Sequence, residues 1–200
     1  MPISSNFKLR FVSLCLGAIV LFLALSPSCS AATERYGVDL SGKPVSDLGG
    51  HGIHFVVLIF AATDCPISNR YVPEIARLNR EFSSQGVRFW WVFPNQSDNA
   101  HVVFQHNKDF AIRENSLLDV SQATTQRAHA TITPEAAVFT ADMHEVYHGR
   151  IDDRYLDIGQ ERPQASRHDL ELAISAALAD KPVPQPGGPS VGCSIVFQQK

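Results

Sequence analysis

Six consecutive apolar residues, Phe55-Val-Val-Leu-Ile-Phe60, are followed after Ala61-Ala62 by Thr63-Asp64-Cys65-Pro66. A run of β-branched and aromatic side chains with no polar alternation predicts a strand buried on both faces, and such strands belong to sheets covered by helices. From Ile67 to Phe82 the pattern changes to helical spacing, with Ile75, Leu78 and Phe82 on one face. Pro73 falls inside that stretch and deletes a helical hydrogen bond unless it lies in the first turn, so the helix either starts near Tyr71 or bends there. The unit is therefore strand, turn, cysteine, helix.

The same alternation continues. Gly86 ends the helix, and Val87–Phe93 is a second strand stopped by Pro94. Ser97 or Asn99 can cap a helix running to about Phe110. Ser116-Leu117-Leu118 is a weak third strand, and Gln122 to Ala128 a short helix. After Thr133-Pro134, the segments Ala136–Thr140 and Glu145–Gly149 form a hairpin. Residues 152–165 read as a charged, irregular loop in which Asp152, Asp153 and Arg154 are solvated or locally paired. Ser166-Arg-His-Asp169 resembles a capping box ahead of a last helix that ends near Ala179. Parallel strands first and an antiparallel hairpin later predict an α/β fold: a mixed sheet with helices on both faces.

The chain divides into three parts. Lys8 and Arg10, the apolar run Phe11–Leu25, and the small residues near Cys29-Ser-Ala-Ala32 follow the order of a secretory signal, so residues 1–32 are expected to be a leader. Residues 33–180 are expected to form one domain, and 181–200 a Pro/Gly-rich tail without regular structure that carries Cys193. The expected location is exported, periplasmic or secreted, with a membrane as partner only if the N-terminal segment is retained. Without Lys8 and Arg10, 15 basic residues face 20 acidic ones, a net charge of −5 that argues against nucleic acid as a partner. Export also reduces four cysteines to two, Cys65 and Cys193, in a compartment where two cysteines can pair.

Cys65 follows a buried strand and precedes a helix. That position exposes a thiol to helix N-terminal amides, which favour the thiolate. The ends of parallel strands are also where α/β sheets place their sites. Pro66 suits a first helical position, where its missing N–H costs little. A reactive nucleophile is the favoured reading, over an inert cysteine packed beneath the helix. Pro134, read alone, is an ordinary trans proline that starts a strand.

These pieces together resemble the thioredoxin fold. The segments Thr63-Asp-Cys-Pro-Ile-Ser-Asn-Arg-Tyr-Val-Pro-Glu-Ile75, Thr133-Pro-Glu-Ala136 and Gly149-Arg-Ile-Asp-Asp-Arg-Tyr155 are similar to bacterial exported redoxin-domain proteins, in the group that holds alkyl hydroperoxide reductases and thiol-specific antioxidants. The resemblance implies a thiol oxidoreductase centred on Cys65, a cis Pro134 facing it, and a protein thiol or disulfide, or a small peroxide, as partner. It departs from thioredoxins at Ser68, where the second cysteine of their motif stands, so no local disulfide forms. It departs from peroxiredoxins at Leu58 and Ala62, where they carry a proline and a Thr or Ser. Thr63 with Arg70 or Arg127 is the remaining candidate for binding a peroxide.

Cys193 is the other thiol of the exported chain. Exchange needs a second thiol to attack a mixed disulfide or condense with a sulfenic acid. The expected order is that Cys65 attacks and Cys193 resolves, against two alternatives: a permanent Cys65–Cys193 staple and two unpaired thiols. No motif calls for a cofactor or a resident metal. The eight histidines lack a His-x-x-x-His spacing and read as surface groups, except that Cys65, Cys193 and His129 would suit copper(I) in a carrier. A copper-binding module is thus the alternative function, and a fold remnant with a structural disulfide the third.

Overall fold

The computed structural model describes residues 36–198. The expected leader, with Cys15 and Cys29, lies outside the described residues. The strands are β1 (Gly37–Val38), β2 (Pro44–Val45), β3 (Phe55–Phe60), β4 (Val87–Phe93), β5 (Asn115–Leu118), β6 (Ile132–Thr133), β7 (Glu135–Thr140), β8 (Glu145–Gly149), β9 (Tyr155–Asp157), β10 (Gln160–Glu161) and β11 (Cys193–Ser194). The α-helices are α1 (Pro66–Arg70), α2 (Val72–Phe82), α3 (Ala100–Asp109), α4 (Ala123–Arg127) and α5 (Asp169–Leu178).

A seven-stranded sheet runs in the order β2-β1-β5-β4-β3-β7-β8. β3 pairs parallel with β4, and β4 with β5; β7 joins the other edge of β3 antiparallel and continues into β8. β3 is buried as its apolar run predicts, because both its edges are paired and both its faces covered. Its residues divide by parity. Val57 and Ile59 join Phe89, Trp91 and Phe93 under α2, α3 and α5, which contribute Ile75, Leu78, Val103, Leu170 and Ile174. Val56, Leu58 and Phe60 join Trp90, Val92 and Leu117 on the other face, beneath Tyr36, Leu48, Ala128 after α4, and Ile195. This is the thioredoxin-like mixed sheet expected from the sequence.

Two open alternatives are settled and two local expectations change. Pro73 falls in the first turn of α2, which starts at Val72 directly after Tyr71, and Pro66–Arg70 forms a separate short helix, α1. Asn99, not Ser97, caps α3, its side chain accepting from the His101 and Val102 backbone N–H groups. The capping box before α5 does not form: His168 is the N-cap, and the Asp169 carboxylate instead accepts from Arg150, Arg167 and the Gly187 N–H. The 152–165 loop contains the hairpin β9–β10. Within that loop Asp152 and Asp153 are buried and locally paired, accepting from Tyr71 and from the Ser166 and Arg167 N–H groups respectively.

The larger correction is the C-terminal segment. It carries a strand, β11, that pairs antiparallel with β6, Cys193 opposite Thr133 and Ser194 opposite Ile132. Buried Ile195 packs into the core, and its N–H donates to the Thr131 carbonyl at 2.9 Å. Gln122 holds the segment from the other side, donating to the Val196 carbonyl at 2.8 Å and accepting from the Gln198 N–H at 2.9 Å. A Pro/Gly-rich composition disfavours helix but permits an extended chain, and Ile195 gives that chain an apolar anchor.

Candidate functional site

Cys65 caps α1 at the end of the turn that follows β3. Its side chain is fully buried, and its thiol donates to the Thr133 carbonyl at 3.0 Å. The Thr133–Pro134 peptide bond is cis, the isomer the resemblance implies, and the Thr133 carbonyl before it is the one that accepts from Cys65.

β11 lies across the same place. Gly192 is what admits it: a Cβ at that position would stand 2.0 Å from the Thr133 carbonyl oxygen, so only glycine lets the strand approach. Cys193 follows, exposed, with its carbonyl accepting from the Thr133 hydroxyl at 3.3 Å. Thr133 thus bridges the two cysteines, through its carbonyl to Cys65 and through its hydroxyl to Cys193. Both thiols are free.

The two sulfurs titrate in opposite directions. Burial pushes the Cys65 thiol up, but hydrogen bonds from the Ser68 hydroxyl, the Cys193 thiol, the Ser68 N–H and the Thr133 hydroxyl outweigh it, and the net shift is downward. The Ser68 hydroxyl is buried and makes no hydrogen bond while Cys65 is a thiol, which leaves it available to a thiolate there. Cys193 is pushed up to about 11 by partial desolvation, the hydrogen bond it shares with Cys65, and the Cys65 and Asp64 charges. Cys65 is thus the preferred thiolate. The Ser68 N–H is a first-turn amide of α1, the kind of donor the sequence argument invoked, and side-chain donors around the sulfur add to it.

Thr63 is held by Asp98. Its hydroxyl donates to the buried Asp98 carboxylate at 2.5 Å, and its N–H donates to the same oxygen at 3.2 Å. Asn69 donates to the Thr63 carbonyl at 3.2 Å, and the Asn69 carbonyl oxygen meets His106 Nε2 at 2.7 Å. Burial pushes Asp98 up and His106 down, so this network holds its charge weakly. It fixes the turn that carries Cys65. Sequence reasoning missed Asp98 and Asn69, which stand in no recognisable motif, and placed His106 among the surface histidines when it is buried.

A second anchor follows the cis proline. Glu135 is buried, accepting from the Thr131 and Ile132 N–H groups and from the Ser190 hydroxyl, with His148 Nε2 at 3.4 Å. Burial pushes Glu135 up, but His148, the Thr131 N–H and Ser190 bring it below the usual carboxylate range; the same contact raises His148. One carboxylate thereby ties β6 to the segment leading into β11.

The other candidates are not gathered at Cys65. Arg70 pairs with Glu161 at 2.8 Å, and Arg127 donates to the Met143 carbonyl at 3.4 Å. Among the described residues Cys65, Cys193 and His129 do not form a metal-binding group; the grouping of suitable ligand atoms is Glu74, His168 and Glu171, where Arg77 already pairs with both carboxylates. The copper(I) set expected as an alternative is therefore not assembled.

Two grooves flank Cys193. One, of about 290 Å³, is mostly apolar and runs between α1 and the β9–β10 hairpin, past Ile67, Tyr155 and Ile158. The other, of about 570 Å³, is more polar and passes Asp64, Asn95 and Phe197.

No family model matches the chain, and no curated protein matches it in sequence. Solved structures do match in fold. An uncharacterized conserved protein from Geobacillus kaustophilus is 23% identical, with 84% of this chain and 91% of that one covered at a TM-score of 0.69. A hypothetical protein from Sinorhizobium meliloti 1021 is 21% identical, with 84% and 95% covered at a TM-score of 0.67. A secreted Mycobacterium tuberculosis disulfide oxidoreductase homologous to E. coli DsbE is 16% identical over 74% of this chain and 96% of that one, at a TM-score of 0.49.

Proposed function

We propose that this chain is an exported thiol–disulfide oxidoreductase whose redox couple is Cys65 with Cys193. The observation that carries the reading is the pairing of β11 with β6, which sets Cys193 beside a buried Cys65 whose thiolate is favoured. Closing the couple joins the two sulfurs in one bond and gives up two protons and two electrons to an external disulfide, which leaves as two thiols. Opening it reverses the exchange. Protein thiols and disulfides are the partners this chemistry serves. Export is inferred from the signal-like order of Lys8, Arg10 and Phe11–Leu25, and it supplies the oxidising surroundings that a reversible disulfide requires.

Peroxide reduction has less support. Thr63, the expected hydroxyl donor, gives its proton to Asp98, and Arg70 pairs through one nitrogen with Glu161 at the groove beside Cys193 rather than at the buried Cys65.

The test is intact mass and peptide mapping after exposure to oxidised glutathione, with alkylation before and after reduction. The expected result is one internal Cys65–Cys193 disulfide that a mild dithiol reopens, and loss of exchange turnover in Cys65→Ser and in Cys193→Ser alike. Two thiols that stay free under that oxidant would end the proposal.

A further inference from the structure

Cys65 and Cys193 differ most in what can reach them. Cys65 is fully buried, closed in by the Thr133 carbonyl and by β11, and it lines neither of the two grooves at this end of the sheet. Cys193 is exposed and lines both. An external sulfur approaching without displacing β11 therefore meets Cys193. The expectation that Cys65 makes the outside contact and Cys193 resolves is at odds with this geometry.

We infer that a substrate thiol attacks the oxidised chain at Cys193 and that Cys65 is the leaving group. The inference rests on the exchange reading above and assigns the roles within it. The substrate thiolate, its proton lost to solvent, forms a bond to Cys193 Sγ. The Cys65–Cys193 bond breaks, and its electron pair passes to Cys65 Sγ. A second substrate thiolate then attacks the substrate sulfur of the mixed disulfide, forming the substrate disulfide and releasing Cys193, which takes a proton from solvent. The substrate loses two electrons and the chain gains them; an external disulfide re-oxidises the chain.

The surroundings suit these roles. Exchange is fast when the departing thiol is a stable anion and when the attacked sulfur is accessible. The buried Ser68 hydroxyl, which has no hydrogen-bond partner, and the Ser68 N–H stand ready for the departing Cys65 charge and form no part of the exposed surface at Cys193. Cys193, whose own thiol resists ionisation, is the poorer leaving group of the two. Access and leaving-group stability therefore select the same sulfur for attack, and the departing charge stays in the pocket already equipped for it.

The test uses the wild-type chain. The protein is oxidised with oxidised glutathione, and closure of the internal disulfide is verified by mass. It is then mixed with a peptide bearing a single cysteine, quenched in acid within milliseconds, alkylated and mapped. The expected result is peptide joined to Cys193 and alkyl label on Cys65. Peptide joined to Cys65 with label on Cys193, or shared equally between the two, overturns the inference while leaving the exchange function standing. Failure of the internal disulfide to form removes the exchange reading itself, and the inference with it.

Discussion

Thr133 is the residue on which the site turns, since its carbonyl receives the Cys65 thiol and its hydroxyl reaches the Cys193 backbone. Cys193 is held near 11 in part by the hydrogen bond and charge of Cys65. Removing Cys65 as Cys65→Ala takes both away, so the Cys193 pKa falls and more of it is thiolate at pH 8. Its rate of alkylation by iodoacetamide at that pH is expected to rise roughly threefold for each unit of the fall, because an about tenfold gain in thiolate is offset by the lower nucleophilicity of the less basic sulfur. An unchanged pH profile would show that Cys65 does not set the Cys193 titration. Cys65 was legible in the sequence because a buried strand, a proline and a helix bracket it. Ser68 was legible only as a missing cysteine. Its use as a donor depends on where its hydroxyl points, and that is a property of the folded turn.

At the scale of elements, the site is made by the meeting of β6 and β11. β6 is led in by the cis-proline loop, and β11 returns from the far end of the chain. Gly192 governs the contact, because any side chain there collides with the Thr133 backbone. Gly192→Ala is expected to lift β11 and expose Cys65 without touching either sulfur. Alkylation of Cys65 should then quicken at least tenfold, the factor that ~1.4 kcal/mol of lost closure produces. A Cys65 as slow to react as in the wild-type chain would show that β11 is not its cover. The principal strands β3, β4, β7 and β8 could be read from apolar runs and turns, because each carries its own pattern. β11 could not: two residues between glycine and isoleucine have no period, and their pairing is decided by Thr133 some sixty positions away.

For the molecule as a whole, the C-terminal segment completes one face of the sheet. Ile195 fills the side that holds Leu58, Phe60 and Val92, so the core and the cover over Cys65 share one anchor. Ile195→Ala is expected to lower stability to urea unfolding by about 2–5 kcal/mol, the usual range for a buried isoleucine. It should also accelerate Cys65 alkylation; full stability in the variant would mean that the segment adds nothing to the core. The division into core and tail was the least legible part of the chain, because proline and glycine signal the absence of helix and say nothing about docking. The cover has a consequence for chemical ageing. On the proposed couple, a sulfenic acid formed at the exposed Cys193 would be attacked by the Cys65 thiolate, closing the disulfide and expelling hydroxide. The couple would thereby bypass the irreversible rungs of sulfur oxidation, and oxidative damage at this site would end in a bond that a thiol can reopen.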